Sequence, residues 1–267
     1  MSNILEKIIK NKKEKIKIYK RENPENQIIK NIKSVKNFVS FKDKIKIRSA
    51  EKKISIIAEI KKSSPSAGII VNKFNPIDIA KIYIENGASF LSVLTEEDFF
   101  LGKLDYIKNI KKNYKIPILC KDFFIDTYQV PLAKSFGADC ILIILSAVDN
   151  VLAKDLYQTA NDLNITTLIE VHSEQEADKA LSFENSIIGI NNRNLSTLKI
   201  SLNTSVKLSN ILSSHKNPLV SESGFHSPEN IKFVINEANI YTFLIGESLL
   251  KSNDIGSKLR QFTQINP

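Results

Sequence analysis

The sequence has 267 residues, 42% hydrophobic and 25% charged, an ordinary globular balance that allows one large core or two small ones. Its longest apolar stretch, about a dozen residues from Ala138 to Val148, is short of the roughly 20 that span a bilayer, and charges interrupt the N-terminus MSNILEKIIKNKKEK where a secretory signal would be apolar. The net charge of +9 comes from lysines scattered along the chain and densest in the first fifty residues, without interleaved aromatics or zinc-ligand spacing, so neither membrane nor nucleic acid is an expected partner and the expected location is cytoplasmic.

Residues 1–50 carry helical spacing in ILEKIIKNKKEKIKIYK (4–20) and ENQIIKNIKSVKNF (25–38) and no strand signal, so they are expected to pack as helices on the rest of the chain, without forming a separate domain. From residue 54 onward, eight short apolar runs alternate with amphipathic stretches: ISIIAEI (54–60), FLSVLT (90–95), PILCKD (117–122), CILIILS (140–146), TTLIEV (166–171), SIIGINN (186–192), PLVSES (218–223) and YTFLIGE (241–247). Most are continuously apolar, as parallel strands covered on both faces must be. Among the stretches between them, NPIDIAKIYIENGA has Pro76 suited to a first helical turn and Gly87 to a helix end, and SPENIKFVINEA opens on Ser227 and Pro228. Eight strand–helix units in about 210 residues, with no GxGxxG after any strand, favour a closed (β/α)8 TIM barrel over an open sheet. Cys120 and Cys140 sit inside apolar runs and are expected to be core residues, with no metal site.

Such a barrel has its active site at the C-terminal ends of its strands, which directs attention to polar residues that close apolar runs. Strand one ends in Glu59-Ile60-Lys61, whose alternation sends Glu59 and Lys61 to one side and Lys62 to the other. Strand three ends in Lys121-Asp122, strand five in Glu170, strand six in Asn191 and Arg193, strand seven in Glu222-Ser223. Lysines and carboxylates converging on one rim are costly to desolvate unless they pair, and such a cluster points to acid–base chemistry, with a lysine acid expected near neutral pKa. His172, taken as the neighbour of Glu170 on the strand, is expected to face away from the mouth and to be structural. Ser223-Gly224 after strand seven and Gly246-Glu247-Ser248 after strand eight stand where barrels bind phosphate on backbone N–H groups.

Together, IIAEIKKSSPSAG, SVLTEEDFFLG, PILCKDFFIDTYQV, GADCILIILSAV, LIEVHSEQEA, IGINNRNL, LVSESGF and FLIGESLL closely resemble the indole-3-glycerol phosphate synthase family in order and spacing, over about residues 54–250. The resemblance implies a (β/α)8 barrel with an N-terminal helical extension that helps cover the substrate, no cofactor, and a small sugar-phosphate substrate, 1-(2-carboxyphenylamino)-1-deoxyribulose 5-phosphate. That substrate is closed to indole-3-glycerol phosphate with loss of carbon dioxide and water. It further implies that Lys121 is the general acid for ring closure, that Lys61 engages the substrate's anions and acts in dehydration, and that Glu59 is the lysines' carboxylate partner. Glu170 resembles the base of the later proton transfer, Asn191 and Arg193 the contacts to the substrate's carboxylate side, and Glu222 a further member of the network. Ser64, Ser223, Gly224, Gly246 and Glu247 resemble the phosphate-binding residues, with the Glu247 side chain turned away from the anion. Ala67, Cys120 and Phe225 depart from the residues common in the family without removing a proposed chemical group.

Phe99 and Phe123 could supply an apolar wall against the substrate's ring, but core packing is the expected reading for both. The chain ends about twenty residues after strand eight, room for a closing helix, so a monofunctional enzyme is expected, as a monomer or weak homodimer. Two alternatives remain. One is another phosphate-binding barrel such as phosphoribosylanthranilate isomerase, whose cysteine–aspartate pair has no counterpart among these motifs. The other is a basic nucleic-acid-binding protein, which would show a steep loss of binding with salt.

Overall fold

In the computed structural model, which describes residues 4–34, 38–194 and 197–265, all eight apolar runs are parallel strands of one closed barrel. They are β1 (Ser55–Ile60), β2 (Phe90–Leu94), β3 (Ile118–Lys121), β4 (Cys140–Ile144), β5 (Thr166–Val171), β6 (Ile187–Asn191), β7 (Leu219–Glu222) and β8 (Thr242–Ile245), each trimmed by one to three residues from the run that announced it, β5 excepted. Each pairs with its sequence neighbours and β8 closes on β1, with Ser55 opposite Thr242 and Ala58 opposite Ile245.

Three helices precede the barrel: α1 (Ile4–Glu22), α2 (Glu25–Ser34) and α3 (Phe41–Ala50). The helical reading of 25–38 holds as far as Ser34; residues 35–37 lie outside the described residues, as do 1–3. Around the barrel stand α4 (Pro76–Glu85), α5 (Leu104–Asn113), α6 (Gln129–Ser135), α7 (Asn150–Asp162), α8 (Glu174–Ala180), α9 (Asn203–Ile211), α10 (Pro228–Ala238), the single turn α11 (Glu247–Leu250) and α12 (Ile255–Thr263). Local chemistry sets several boundaries. Asn75 accepts the Ile77 N–H ahead of Pro76, and Ser227 with Asn230 forms a reciprocal cap ahead of Pro228, so both prolines stand where a missing N–H costs nothing. A short hairpin pairing Ser63–Ser64 with Gly68–Ile69 comes after β1 and was not signalled by the sequence.

Strand alternation divides the buried residues into two cores. Outward-facing Ile56, Ala58, Leu91, Val93, Ile141 and Ile143 pack under the helices, where the Tyr83 hydroxyl donates to the Glu59 carbonyl at 3.2 Å. Inward-facing Ile57, Phe90, Leu119, Cys140, Leu142, Leu168, Ile187, Val220 and Leu244 fill the barrel. Phe41 and Ile45 of α3, both wholly buried, join this inner core and close the floor, with the Phe41 and Phe90 ring centroids 4.5 Å apart. Cys120 and Cys140 are buried free thiols on opposite faces of the sheet. No helix of the described residues is long and apolar enough to cross a membrane.

Candidate active site

Above the inner core, the inward positions turn from aliphatic to ionisable. Glu59 follows Ile57 on β1, Lys121 follows Leu119 on β3, Glu170 follows Leu168 on β5, and Glu222 follows Val220 on β7, each two residues further and so on the same face. They surround a cavity of about 590 Å³ at the C-terminal mouth. All twelve residues singled out from the sequence line it: Glu59, Lys61, Ser64, Lys121, Glu170, Asn191, Arg193, Glu222, Ser223, Gly224, Gly246 and Glu247.

The centre of the cluster is Lys121, whose Nζ donates to Glu222 Oε2 at 2.7 Å and Glu170 Oε2 at 3.1 Å. Lys61 Nζ donates to Glu59 Oε1 at 2.6 Å. Burial favours neutral Lys121, but Glu170, Glu222 and Glu59 reverse that and raise its pKa. This corrects the expectation of a near-neutral lysine: the carboxylates keep it charged. The two carboxylates it bridges diverge. Burial raises Glu222, whereas Lys121 and His172 overcome the same burial at Glu170 and lower it, so Glu170 is the one held ionised. Among the described residues, Glu222 Oε1 is buried with no hydrogen-bond partner.

Two glycines make room for these carboxylates. A Cβ on Gly189 of β6 would overlap Glu222 Oε1, and one on Gly246 would overlap Glu59 Oε1. Neither need shows in the sequence, where Gly189 passes as a strand glycine and Gly246 is read only for phosphate binding. Asn191 Oδ1 accepts the Arg193 N–H at 3.0 Å. Its neighbour Asn192 is buried and braces the loops, donating to Ser221 Oγ and the Ser223 carbonyl and accepting from Ser205. Ser223 lies in the left-handed region at φ +67°, a conformation that costs energy for serine and is held by these bonds. Glu247 is turned to cations, with Oε1 2.6 Å from Lys251 Nζ and Oε2 3.4 Å from Arg193 Nη2.

His172 stays outside the cavity lining, as expected, but the facing given to it is corrected. It stands two residues beyond Glu170, not one, so alternation brings it to the same side. Its Nε2 lies 3.2 Å from Glu170 Oε1 and its Nδ1 3.2 Å from Glu176 Oε2. Of the aromatic candidates, Phe123 lines the cavity and Phe99 does not; Phe100 takes that place, 6.3 Å from Phe123 between centroids. Glu96 sets the turn that presents Phe100, accepting N–H bonds from Asp98, Phe99 and Phe100.

The roof belongs to α1, which contributes Ile4, Leu5 and Ile8 to the cavity lining. Farther along, buried Lys12 pairs with Asp122, next to Lys121, at 2.8 Å, Lys15 with Glu97 at 2.8 Å, and Lys20 with Asp126 at 2.7 Å. The Tyr128 hydroxyl reaches the carbonyls of Tyr19 and Asn23. Several of the N-terminal lysines on this helix are therefore engaged by the loops after β2 and β3. Among the described residues, no group of three or more His, Cys, Asp or Glu is placed to hold a metal ion.

A model of the indole-3-glycerol phosphate synthase family matches residues 5–262. The chain belongs to that family. Indole-3-glycerol phosphate synthases from Polaromonas naphthalenivorans and Legionella pneumophila (strain Lens) are 40% and 39% identical to it, each over 98% of this chain and 98% of the relative. The one from Trichodesmium erythraeum is 38% identical over 99% of this chain and 90% of its own length. Among solved structures, the tryptophan synthase alpha subunit of Legionella pneumophila is similar at TM-score 0.62 and 13% identity, over 83% of this chain and 96% of that one. Phosphoribosylanthranilate isomerase from Thermotoga maritima aligns at TM-score 0.56 and 9% identity, over 78% and 96%. At such identity these two share the fold alone. Membership makes this chain an indole-3-glycerol phosphate synthase-type carboxy-lyase of tryptophan biosynthesis acting on a small phosphate-bearing substrate, and disfavours the isomerase alternative.

Proposed function

We propose that the mouth cavity performs the family's ring closure on 1-(2-carboxyphenylamino)-1-deoxyribulose 5-phosphate, with Lys121 as the general acid. The observation that carries this reading is the Lys121 Nζ on the cavity wall, held by Glu170 and Glu222 under the apolar edge of α1. An aromatic carbon is a weak nucleophile, so the carbonyl must be made more electrophilic and both ends of a flexible substrate held together. A lysine kept cationic suits this task. The alkoxide that forms as the carbon–carbon bond closes is more basic than an amine, so transfer of the Nζ proton to it is downhill.

Carbon dioxide then departs, leaving its bonding electrons to the ring. The hydroxyl leaves as water on a proton from Lys61, which Glu59 orients, and Glu170 takes the proton whose loss makes the pyrrole aromatic. Lys121, left as an amine, stays against Glu222 until a proton taken up from solvent restores its charge, the one proton that decarboxylation consumes overall. Asn191 and Arg193 meet the substrate's carboxylate side, and Phe100 and Phe123 offer its ring an apolar wall. The phosphate sits among Ser64, Ser223, Gly224 and the N–H groups of Gly246 and Glu247, where α11 begins and its first amides lack helical partners. Arg193 and Lys251 hold the Glu247 carboxylate, which favours an anion at its backbone.

We further propose that residues 1–267 work as one unit, residues 1–50 being an extension packed on the barrel, in the cytoplasm, as a monomer or weak homodimer without nucleic acid. The test of the site is fluorescence-monitored formation of indole-3-glycerol phosphate. Wild type turns over, and Lys121→Ala still binds substrate but loses about 10²- to 10⁴-fold in kcat. Folded wild type without turnover on this substrate would overturn the reading.

A further inference from the structure

Glu170 lies at the end of a line of ionisable groups running out of the cavity. On the cavity side its Oε2 meets Lys121, which also faces Glu222 from β7 and feels Glu59 from β1. On the far side its Oε1 is 3.2 Å from His172 Nε2, an ion-pair contact without a well-directed hydrogen bond. His172 Nδ1 is 3.2 Å from Glu176 Oε2, which also accepts the His172 backbone N–H at 2.8 Å. Glu176 is fixed in turn by its place in the first turn of α8, its N–H bonded to the Ser173 cap at 3.3 Å. The imidazole side chain is 8% exposed, and its ring edge lies behind Glu170, outside the cavity lining.

We infer that His172 is the positioning residue for Glu170: as an imidazolium between Glu170 and Glu176, it fixes one oxygen of the base and leaves the other to Lys121 and the substrate. The inference rests on the reading of Glu170 as the base. An imidazole between two carboxylates stays protonated because either proton lost would leave an anion uncompensated. Burial alone would lower the His172 pKa, but contacts to Glu170 and Glu176 carry it up to about 10. The same cation joins Lys121 in lowering Glu170. A helix N-terminus thereby reaches the base through two side chains, holding orientation and charge together.

The test is the pH dependence of kcat and KM for wild type, His172→Gln, Glu176→Gln and Glu170→Gln. For His172→Gln, kcat falls by up to about 100-fold with KM within about twofold, and the acidic limb moves to higher pH because a cation beside Glu170 is lost. For Glu176→Gln, which leaves the Glu170 contact in place, the alkaline limb moves to lower pH because the imidazole loses its proton sooner. A merely structural histidine would shift neither limb. Folded His172→Gln with wild-type kcat and an unmoved acidic limb overturns the inference; should that variant fail to fold, an unmoved alkaline limb in Glu176→Gln does so. Full kcat in Glu170→Gln would overturn the base assignment itself, whereas an inactive Glu170→Gln beside an unaffected His172→Gln overturns only the role of His172.

Discussion

Two lysines, Lys111 buried and Lys121 partly so, face carboxylates at opposite ends of this barrel, and their surroundings send them in opposite directions. At the floor, Lys111 pairs with Asp139 at 2.5 Å, and Asp139 also accepts the N–H groups of Val39 and Ile118. With a single carboxylate to oppose it, burial outweighs attraction and lowers the Lys111 pKa. At the mouth, Lys121 has Glu170 and Glu222 in contact and Glu59 nearby, and its pKa rises. One end is a nearly saturated set of donors and acceptors tying a linker to a strand. The other keeps a surplus of carboxylate, one buried oxygen without a hydrogen-bond partner among the described residues, and an open cavity beside it. Surplus and space distinguish a site that awaits a substrate from a staple.

The comparison breaks most visibly if floor mutations alter chemistry. Phe41→Ala removes a wholly buried ring from the plug and is expected to cost about 3–5 kcal/mol of stability in denaturant titrations, while the folded fraction keeps wild-type kcat and KM. The converse variant is Gly189→Ala, whose methyl would overlap the Glu222 carboxylate. A displacement of Glu222 by about 1 Å is expected to lower kcat about 100-fold, read by steady-state kinetics alongside a circular dichroism spectrum that keeps the native shape.

A smaller effect sharpens the electrostatic half. The folded His172 pKa stands near 10, above the unfolded value of about 6.5. Its contribution to stability is therefore full below pH 6.5 and fades as pH rises toward 10. Glu170, lowered on folding, contributes above its unfolded range near 4.5 and loses that contribution as pH falls. The stability gap between wild type and His172→Gln should be widest between about pH 4.5 and 6.5 and narrow toward pH 10, as followed by denaturation across that range. Smallest of all is Lys17→Ala, which breaks a pair with Glu14 in which Lys17 is 65% exposed. Its expected change is under about 0.5 kcal/mol in the same titrations, with no change in kcat.

The barrel was legible because its strands are buried on both faces, which writes continuous apolar runs into the chain, and because polar residues at their ends are conspicuous there. The mouth residues obey the same period of two, and where that count slipped by one, at His172, so did the reading. The floor plug escaped notice because it rests on Phe41 and Ile45 of a ten-residue helix whose charges and exposed Ile47 leave no clean apolar stripe. The resemblance implied a covering N-terminal extension, but not which side chains form the roof: Ile4, Leu5 and Ile8 look like any amphipathic stripe until the cavity beneath them is known. The direction of the Lys121 pKa depends on how many carboxylates converge in space, which spacing along the chain does not record. The space required by Glu222 at Gly189 is likewise a property of two neighbouring strands.

The Lys121 cluster is built for chemistry and the Lys111 pair for structure, a division tested most directly by measuring kcat and unfolding free energy side by side for Lys121→Ala and Lys111→Ala. Lys121→Ala is expected to stay folded and to lose about 10²- to 10⁴-fold in kcat, while Lys111→Ala loses about 3–5 kcal/mol of stability and retains the kcat of wild type in its folded fraction. Near-wild-type turnover by Lys121→Ala, or a kcat loss in folded Lys111→Ala equal to that of Lys121→Ala, would contradict it.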